Sequence, residues 1–213
     1  MGRSLIYFNI KMLTDILDYR NGKYQGPTTS NHQRHGLGIF IDDDLTFYIS
    51  QWRQSKLNGP TLIYLTHGKY IYGEWKNNEP HGLNIYRSGD TVLLGKFKDG
   101  LPAEKCLMIF ERENFACIIN HVEGQEWTVG NSGTINSHSV LLSFISKMGI
   151  SVPDHYFSLT KFASSLTHRN KAIKMFPCPN NHCYFGFVNG LGIIFNSNNG
   201  VVSVGCHQKE SLC

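Results

Sequence analysis

A short motif recurs along the first half of the chain at a nearly constant interval, and this repeat constrains the fold more than any other feature. A glycine preceded by His or Asn returns at equal spacing, at Gly36, Gly59 and Gly82. A second marker keeps the same register, because Trp75 follows Trp52 at that same interval and Phe97 follows only one position sooner. Two markers in one register indicate a tandem array of similar structural units.

Each unit has the pattern of a β-hairpin. In the clearest unit a bulky, a small and an aromatic residue alternate, at Ile71, Gly73 and Trp75. Because side chains alternate between the faces of a strand, these three residues share one face. The His-Gly or Asn-Gly pair then turns the chain into a second strand. The sequence therefore predicts a mainly β fold, an elongated antiparallel array of hairpins with a continuous aromatic row.

The order of residues in the unit also carries a family resemblance. From Ile71 to Gly82 the chain reads Ile-Tyr-Gly-Glu-Trp-Lys-Asn-Asn-Glu-Pro-His-Gly. This resembles the MORN repeat, which runs Tyr-x-Gly-x-Trp, then Asn-Gly, then His-Gly-x-Gly. The resemblance covers about residues 19–110, with departures such as Ser50 in place of a glycine. Eight residues are predicted to be structural parts of the repeat: Trp52, Trp75, Phe97, Gly36, Gly59, Gly73, Gly82 and Gly95.

The repeat register fails in the second half of the chain, and the sequence predicts three parts. Residues 1–18 are predicted as an N-terminal cap, residues 19–120 as the β array, and residues 121–213 as a C-terminal α+β region. Apolar residues at helical spacing predict a helical hairpin over about residues 137–168, either a packing unit or a partner-binding module. The segment 184–205 repeats the turn pattern and is either a further degenerate repeat or an ordinary β-hairpin.

Composition narrows the class of protein. Hydrophobic residues make up 41% of the chain, as in a folded domain, and the net charge of +4 is spread among interspersed cations and anions. Without a basic cluster, a nucleic-acid partner is not expected. No secretory signal is recognised, and no window approaches the ~18 apolar residues that span a bilayer. We therefore expect a cytoplasmic protein whose six cysteines are reduced.

A search for catalytic and metal-binding patterns favours no enzyme activity. The sequence has no phosphate-binding Gly-rich loop, no His-Glu-x-x-His and no Gly-x-Ser-x-Gly. His35 and His81 recur with the period, which indicates a turn role rather than catalysis, and the triplet at 42–44 is predicted to be a solvated turn. Cys178, His182 and Cys183, with Cys206 and His207, contain the ligand types of a zinc site, but their spacing favours a loop with buried thiols. We predict no catalytic residue, metal or cofactor.

The resemblance to MORN proteins implies a scaffold. We expect a non-enzymatic adaptor of the cytoskeleton or cilium, an axonemal component for example, that binds protein partners through its repeat sheet. The alternative is a peripheral adaptor that binds membrane phospholipid, which the lack of a basic stripe disfavours. Tyrosine is enriched at protein interfaces. We therefore predict that Tyr70, Tyr72 and Tyr86 are exposed and bind the partner.

Overall fold

The computed structural model describes the repeat array, one helix and the backbone of a second small sheet. The described residues are 16–44, 46–65, 69–122, 125–153, 173–178, 182–187, 190–196 and 200–207. The elements of the first sheet are β1 (Ile16–Tyr19), β2 (Gly22–Gln25), β3 (Gly36–Asp42), β4 (Phe47–Arg53), β5 (Lys56–Tyr64), β6 (Tyr70–Lys76), β7 (Glu79–Ser88), β8 (Thr91–Lys98), β9 (Leu101–Phe110), β10 (Phe115–Asn120) and β11 (Thr128–Thr134). They are followed by α1 (His138–Lys147), β12 (Ile173–Cys178), β13 (His182–Phe187), β14 (Gly190–Asn196) and β15 (Gly200–His207).

The first eleven strands form one open antiparallel sheet in which every strand pairs with its neighbours in the sequence. The predicted fold class, an elongated antiparallel array of hairpins, is confirmed. The sheet begins at Ile16 and ends at Thr134, so it includes one strand before and one after the predicted range of 19–120. The division of the chain into three domains stays a prediction.

Side-chain alternation gives the sheet two different faces. The inner face, which carries Ile49, holds a row of apolar residues that pair across eight strands, and none of them is more than 6% exposed. That row consists of Ile39, Ile49, Leu62, Tyr72, Ile85, Leu94, Leu107 and Ile118. Phe144, Ile145 and Met148 of α1 and its C-cap pack into the same cluster. The inner face is therefore the main core of the protein.

The outer face, which carries Tyr48, holds a second row that changes in character along the sheet. It runs through Phe40, Tyr48, Ile63, Ile71, Tyr86, Leu93, Met108 and Cys117. At the β3–β5 end this row packs with Tyr24 and Trp52 in a buried aromatic cluster. Towards β10, Met108 and Cys117 take the places that rings occupy in the first repeat.

One irregularity recurs in each repeat and explains the spacing of the sequence markers. The strand register shifts between Ser50 and Trp52, between Gly73 and Trp75, and between Gly95 and Phe97. In each case three residues of the returning strand lie opposite one residue. Gly82 has a φ of 74° within such a segment, a conformation that glycine adopts without steric cost. The repeat is thus a bulged hairpin.

The helix predicted after the array is confirmed by α1. Its N-cap is Ser137, whose hydroxyl accepts a hydrogen bond from the backbone N–H of Val140. Gly149 follows the C-cap residue with a φ of 66°, as expected of a glycine that ends a helix. The second helix of the predicted hairpin and most of the predicted N-terminal cap lie outside the described residues. The segment 184–205 contributes to β13, β14 and β15 of a four-stranded antiparallel sheet, a topology that both interpretations of it allow.

At the β1 end, Arg34 extends the aromatic cluster of the outer face. Its guanidinium carbon lies 4.2 Å from the ring centroids of both Phe40 and Trp52. Its Nη2 donates a hydrogen bond to the carbonyl oxygen of Ser55 at 3.3 Å. A cation held between two rings is attracted to their faces, and its aliphatic stem adds packing.

We expect Arg34→Ala to lower the free energy of unfolding by about 1–2 kcal/mol, measured by equilibrium urea denaturation. Arg34→Met is the matched control, because it keeps an aliphatic stem and removes the charge. The methionine variant should lose clearly less than the alanine variant but still fall below the wild type. A methionine variant as stable as the wild type would show that the stacked charge contributes nothing.

Candidate functional site

The outer face has an open apolar hollow at the end of the sheet where the repeats stop. Its volume is about 450 Å³, within the range of ligand and peptide pockets. Seven apolar side chains line it: Leu93, Met108, Phe110, Cys117, Ile119, Trp127 and Val129. On β9 and β10 the row next to Leu93 carries Met108 and Cys117 rather than a ring. Trp127 and Val129, which are 45% and 69% exposed, form the far wall.

A second hollow of about 250 Å³ adjoins the first towards β6. Lys69, Ile71, Tyr86 and Thr91 line it, and Leu93 lines both hollows. The two hollows share Leu93 and lie side by side across strands β6 to β11, and we call them together the outer groove. Its β11 end is wholly apolar, whereas Thr91 and the exposed Lys69 make its β6 end polar.

The floor of the groove carries no charge at neutral pH. Burial raises the pKa of the Tyr86 hydroxyl to about 12, and the neighbouring Cys106 contributes to the rise. Burial likewise raises the pKa of the Cys106 thiol to about 11 and the pKa of the Cys117 thiol. All three groups therefore stay protonated. An uncharged, open apolar groove is suited to binding another apolar surface.

Two cations lie at the β6 end of the groove, and their side chains point to different faces of the sheet. Arg87 pairs across the sheet with Tyr70 and Val92 and therefore faces inward, whereas Lys69 alternates with Tyr70 and faces outward. The Arg87 guanidinium donates hydrogen bonds from Nη1 and Nη2 to the two carboxylate oxygens of Glu111, at 2.8 and 2.6 Å. This bidentate pairing satisfies the Arg87 charge within the protein. Lys69 is exposed and forms no ion pair with a described residue. Lys69 is therefore the cation that the described lining offers to a partner.

Two of the three tyrosines predicted to bind partners are buried, and the prediction that they are exposed is wrong. Tyr70 is 1% and Tyr72 is 2% exposed, and both lie in the core cluster of the inner face. The alternation that places Ile71 on the outer face sends its two neighbours inward. Tyr86 is half-buried on the outer face, where it stacks on Phe97 with ring centroids 5.0 Å apart and lines the groove.

The aromatic residues of the repeat lie on the outer face, as the register predicts. Trp52 and Trp75 belong to one cluster there, and Phe97 reaches the same face through its contact with Tyr86. The indole nitrogen Nε1 of Trp52 donates a hydrogen bond to the carbonyl oxygen of Gly38 at 3.0 Å. Trp52 is buried and Trp75 is half-buried, so these rings cover the outer face along the repeats.

The groove residues other than Tyr86 were missed in the sequence, although one signal pointed to them. Met108 and Phe110 alternate with inner-face residues in β9, directly after the last aromatic marker, Phe97. A strand whose two faces are both apolar indicates that both are covered or bind something. The end of the aromatic repeat marks the place where the outer face loses its own cover.

The other candidate residues do not form a site. His35 precedes β3, and His81 lies within β7, so the prediction that the His-Gly and Asn-Gly pairs form the hairpin turns is wrong. The turn before β7 is at Asn77 and Asn78, and the paired glycine lies at the bulge of the returning strand. Asp42 ends β3 and its Oδ1 accepts hydrogen bonds from the backbone N–H groups of Asp44 and Thr46, which confirms the predicted turn. Among the described residues no group of three His, Cys, Asp or Glu side chains could hold a metal ion. The side chains of Cys178, His182, Cys183, Cys206 and His207 lie outside the described residues.

Tandem bulged hairpins in one open antiparallel sheet define a β-repeat protein. The family model of the MORN repeat matches residues 30–46 and 72–90, around the β3–β4 and β6–β7 hairpins. The chain therefore contains MORN repeats. MORN repeats are generally non-catalytic and are consistent with an adaptor that contacts protein or membrane lipid. None of the curated proteins compared with the chain matches it. Within the described part, no helix is long and apolar enough to cross a membrane.

Proposed function

We propose that this protein is a non-enzymatic scaffold of the cytoskeleton or cilium, which holds a protein partner in the outer groove. The observation that carries the proposal is the groove itself, an apolar depression that the described residues leave open on the outer face of the sheet. An apolar hollow with a few polar groups at one end is the default candidate for a binding site. The cytoskeletal or ciliary setting is supported by the resemblance to MORN proteins.

Among the residues that the structure describes, the inner face offers no comparable surface. Its apolar rows are buried along the sheet, and Phe144 and Ile145 of α1 pack against them. A partner could reach those rows only by displacing part of the core. The outer groove requires no such change, because Met108 and Trp127 already reach solvent. The geometry thus favours the outer face as the binding surface.

A membrane-binding adaptor is the second candidate, and one observation favours it. Each repeat ends its first strand with an exposed cation, at Arg53, Lys76 and Lys98. Since these residues end alternate strands, they recur about every 10 Å along one edge of the sheet. Such a row could contact anionic lipid headgroups. However, Glu79 lies opposite Lys76 in the hairpin and lowers the net positive charge of the row. Sedimentation with anionic liposomes separates the two candidates.

The proposal predicts the effect of a charge placed in the groove. Met108→Glu should reduce proximity labelling of cytoskeletal or axonemal neighbours in cells about tenfold or more, because a carboxylate would have to be buried against the partner. Leu101→Glu is the matched control: it lies in the same strand, is 62% exposed and is outside the groove. Circular dichroism of the purified variants checks that both remain folded.

The control should keep the labelling pattern of the wild type. Labelling that is unchanged in the Met108 variant would reject the groove as the binding site. Labelling confined to proteins unrelated to the cytoskeleton or cilium would reject the proposed setting. Binding of the wild type to anionic liposomes, lost when Lys76 and Lys98 are changed to Glu, would favour the membrane adaptor instead.

A further inference from the structure

We infer that the outer groove takes an amphipathic α-helix, which lies across strands β6 to β11 with its C-terminal end beside Lys69. The inference rests on the proposed function, since it names the kind of partner segment that the scaffold holds. Three features of the groove carry it: the state of its backbone groups, the spacing of its floor and the position of its charge.

The backbone of the groove floor has nothing to offer an incoming extended chain. Strands β6 to β10 each pair with a neighbour on both sides, so their N–H and C=O groups are used in the sheet ladder. A segment that crosses these strands over Met108 and Cys117 would leave its own peptide groups unpaired in an apolar setting, which is costly. A helix satisfies its peptide groups internally, and therefore fits such a surface.

The spacing of the floor also matches a helix. Ile71, Tyr86, Leu93, Met108 and Cys117 lie one per strand on adjacent strands, at intervals of about 4.8 Å. A helix presents one side chain of its apolar stripe per turn, at a rise of about 5.4 Å, so successive stripe residues can settle between successive floor residues. From β6 to β11 the groove spans about 24 Å, the length of about 16 helical residues.

The charge at the β6 end sets the direction. Lys69 is exposed there, and Ser88 and Thr91 add polar groups, whereas Trp127 and Val129 keep the β11 end apolar. The C-terminal end of a helix carries a partial negative charge and unpaired carbonyl groups. An acidic residue in the last turn would add a full charge opposite the Lys69 ammonium. The partner helix is thus apolar along one stripe and acidic at its C-terminal end.

Fluorescence anisotropy of a labelled peptide with the full chain tests this. The probe is a peptide of about 16 residues in an Ala-Gln background, with leucines at i, i+4, i+7 and i+11 and a Glu in the last turn. Its matched control has the same composition with the leucines at every second position, the period of a strand. The helical peptide should bind at least tenfold more tightly than the control, and Met108→Glu should weaken it tenfold while Leu101→Glu does not.

A charge swap tests the direction. Lys69→Glu should weaken binding of the peptide that has Glu in its last turn. Replacing that Glu of the peptide with Lys should restore binding to the Lys69→Glu variant. Equal binding of the two leucine patterns, no binding below about 1 mM, or no effect of Met108→Glu would overturn the helix. Indifference to the swap would overturn the assigned direction. If the peptide does not bind but labelling in cells still depends on Met108, the helical partner is rejected and the proposed function stands. If neither peptide binding nor labelling depends on Met108, both proposals are rejected.

Discussion

Replacing Trp52 with alanine is expected to lower the free energy of unfolding by about 3–5 kcal/mol, as measured by equilibrium urea denaturation. The ring is 3% exposed and packs edge-on against Tyr24 and Phe40, with centroids 5.9 and 6.2 Å away. Truncation would empty this space, remove the hydrogen bond from Nε1 to Gly38 and take away one of the rings that hold Arg34. The loss combines a cavity with an unpaired carbonyl.

Trp75→Ala provides the comparison, because Trp75 holds the same position in the next repeat but is less buried than Trp52. Trp75 is half-buried and its Nε1 makes no hydrogen bond with the described residues. Its removal should cost clearly less than the removal of Trp52. Trp52→Phe separates ring packing from the hydrogen bond and should fall between alanine and the wild type. If Trp52→Ala and Trp75→Ala lowered the free energy of unfolding equally, the deeper burial of Trp52 would not explain its contribution to stability.

The repeat predicted the fold well because it acts through local geometry. The paired glycine and aromatic markers fix the period of the hairpins, and consecutive hairpins with short connections are neighbours in the sheet. The predicted place of the turn was wrong, because Gly59 and Gly82 lie at the bulges of β5 and β7. Alternation then places Trp52, Trp75 and Phe97 on one face without any knowledge of distant contacts. The bulge in each hairpin also follows the period, but its place in the strand became visible only from the pairing register.

The binding surface was harder to predict because it depends on which face the rest of the chain covers. The sequence shows Tyr70 and Tyr72 on a strand, but it does not show that α1 and the inner-face rows form one core cluster around them. The groove likewise arises from what is missing at the end of the array, a ring to cover Met108 and Cys117. Periodicity describes the repeated units, and the site lies where the period ends.

A single added carbon at Gly73 is expected to cost about 3 kcal/mol or more, measured as the shift in the urea midpoint of Gly73→Ala. A Cβ at this position would collide with the backbone carbonyl oxygen of Leu83 and with the side-chain amide of Asn84. The carbonyl belongs to the neighbouring strand β7 and cannot move without disturbing the pairing there. The Asn84 side chain is fully buried and held by its own hydrogen bonds, to the carbonyl oxygen of Glu74 among others.

Gly89→Ala is the control, since a Cβ there meets nothing within 4 Å. Its φ of 61° makes alanine unfavourable by only about 1 kcal/mol, so the difference between the two variants measures the collision at Gly73. The preceding repeat shows why a larger residue fits elsewhere: Ser50 takes the equivalent place, and its hydroxyl lies 2.6 Å from that of Thr61. At Ser50 the opposite strand supplies a hydrogen-bond partner, Thr61, whereas at Gly73 it supplies a carbonyl oxygen with which a Cβ would collide. If Gly73→Ala were no more destabilising than Gly89→Ala, the glycine of the repeat would be needed for its backbone conformation alone, and not for the close approach of two strands.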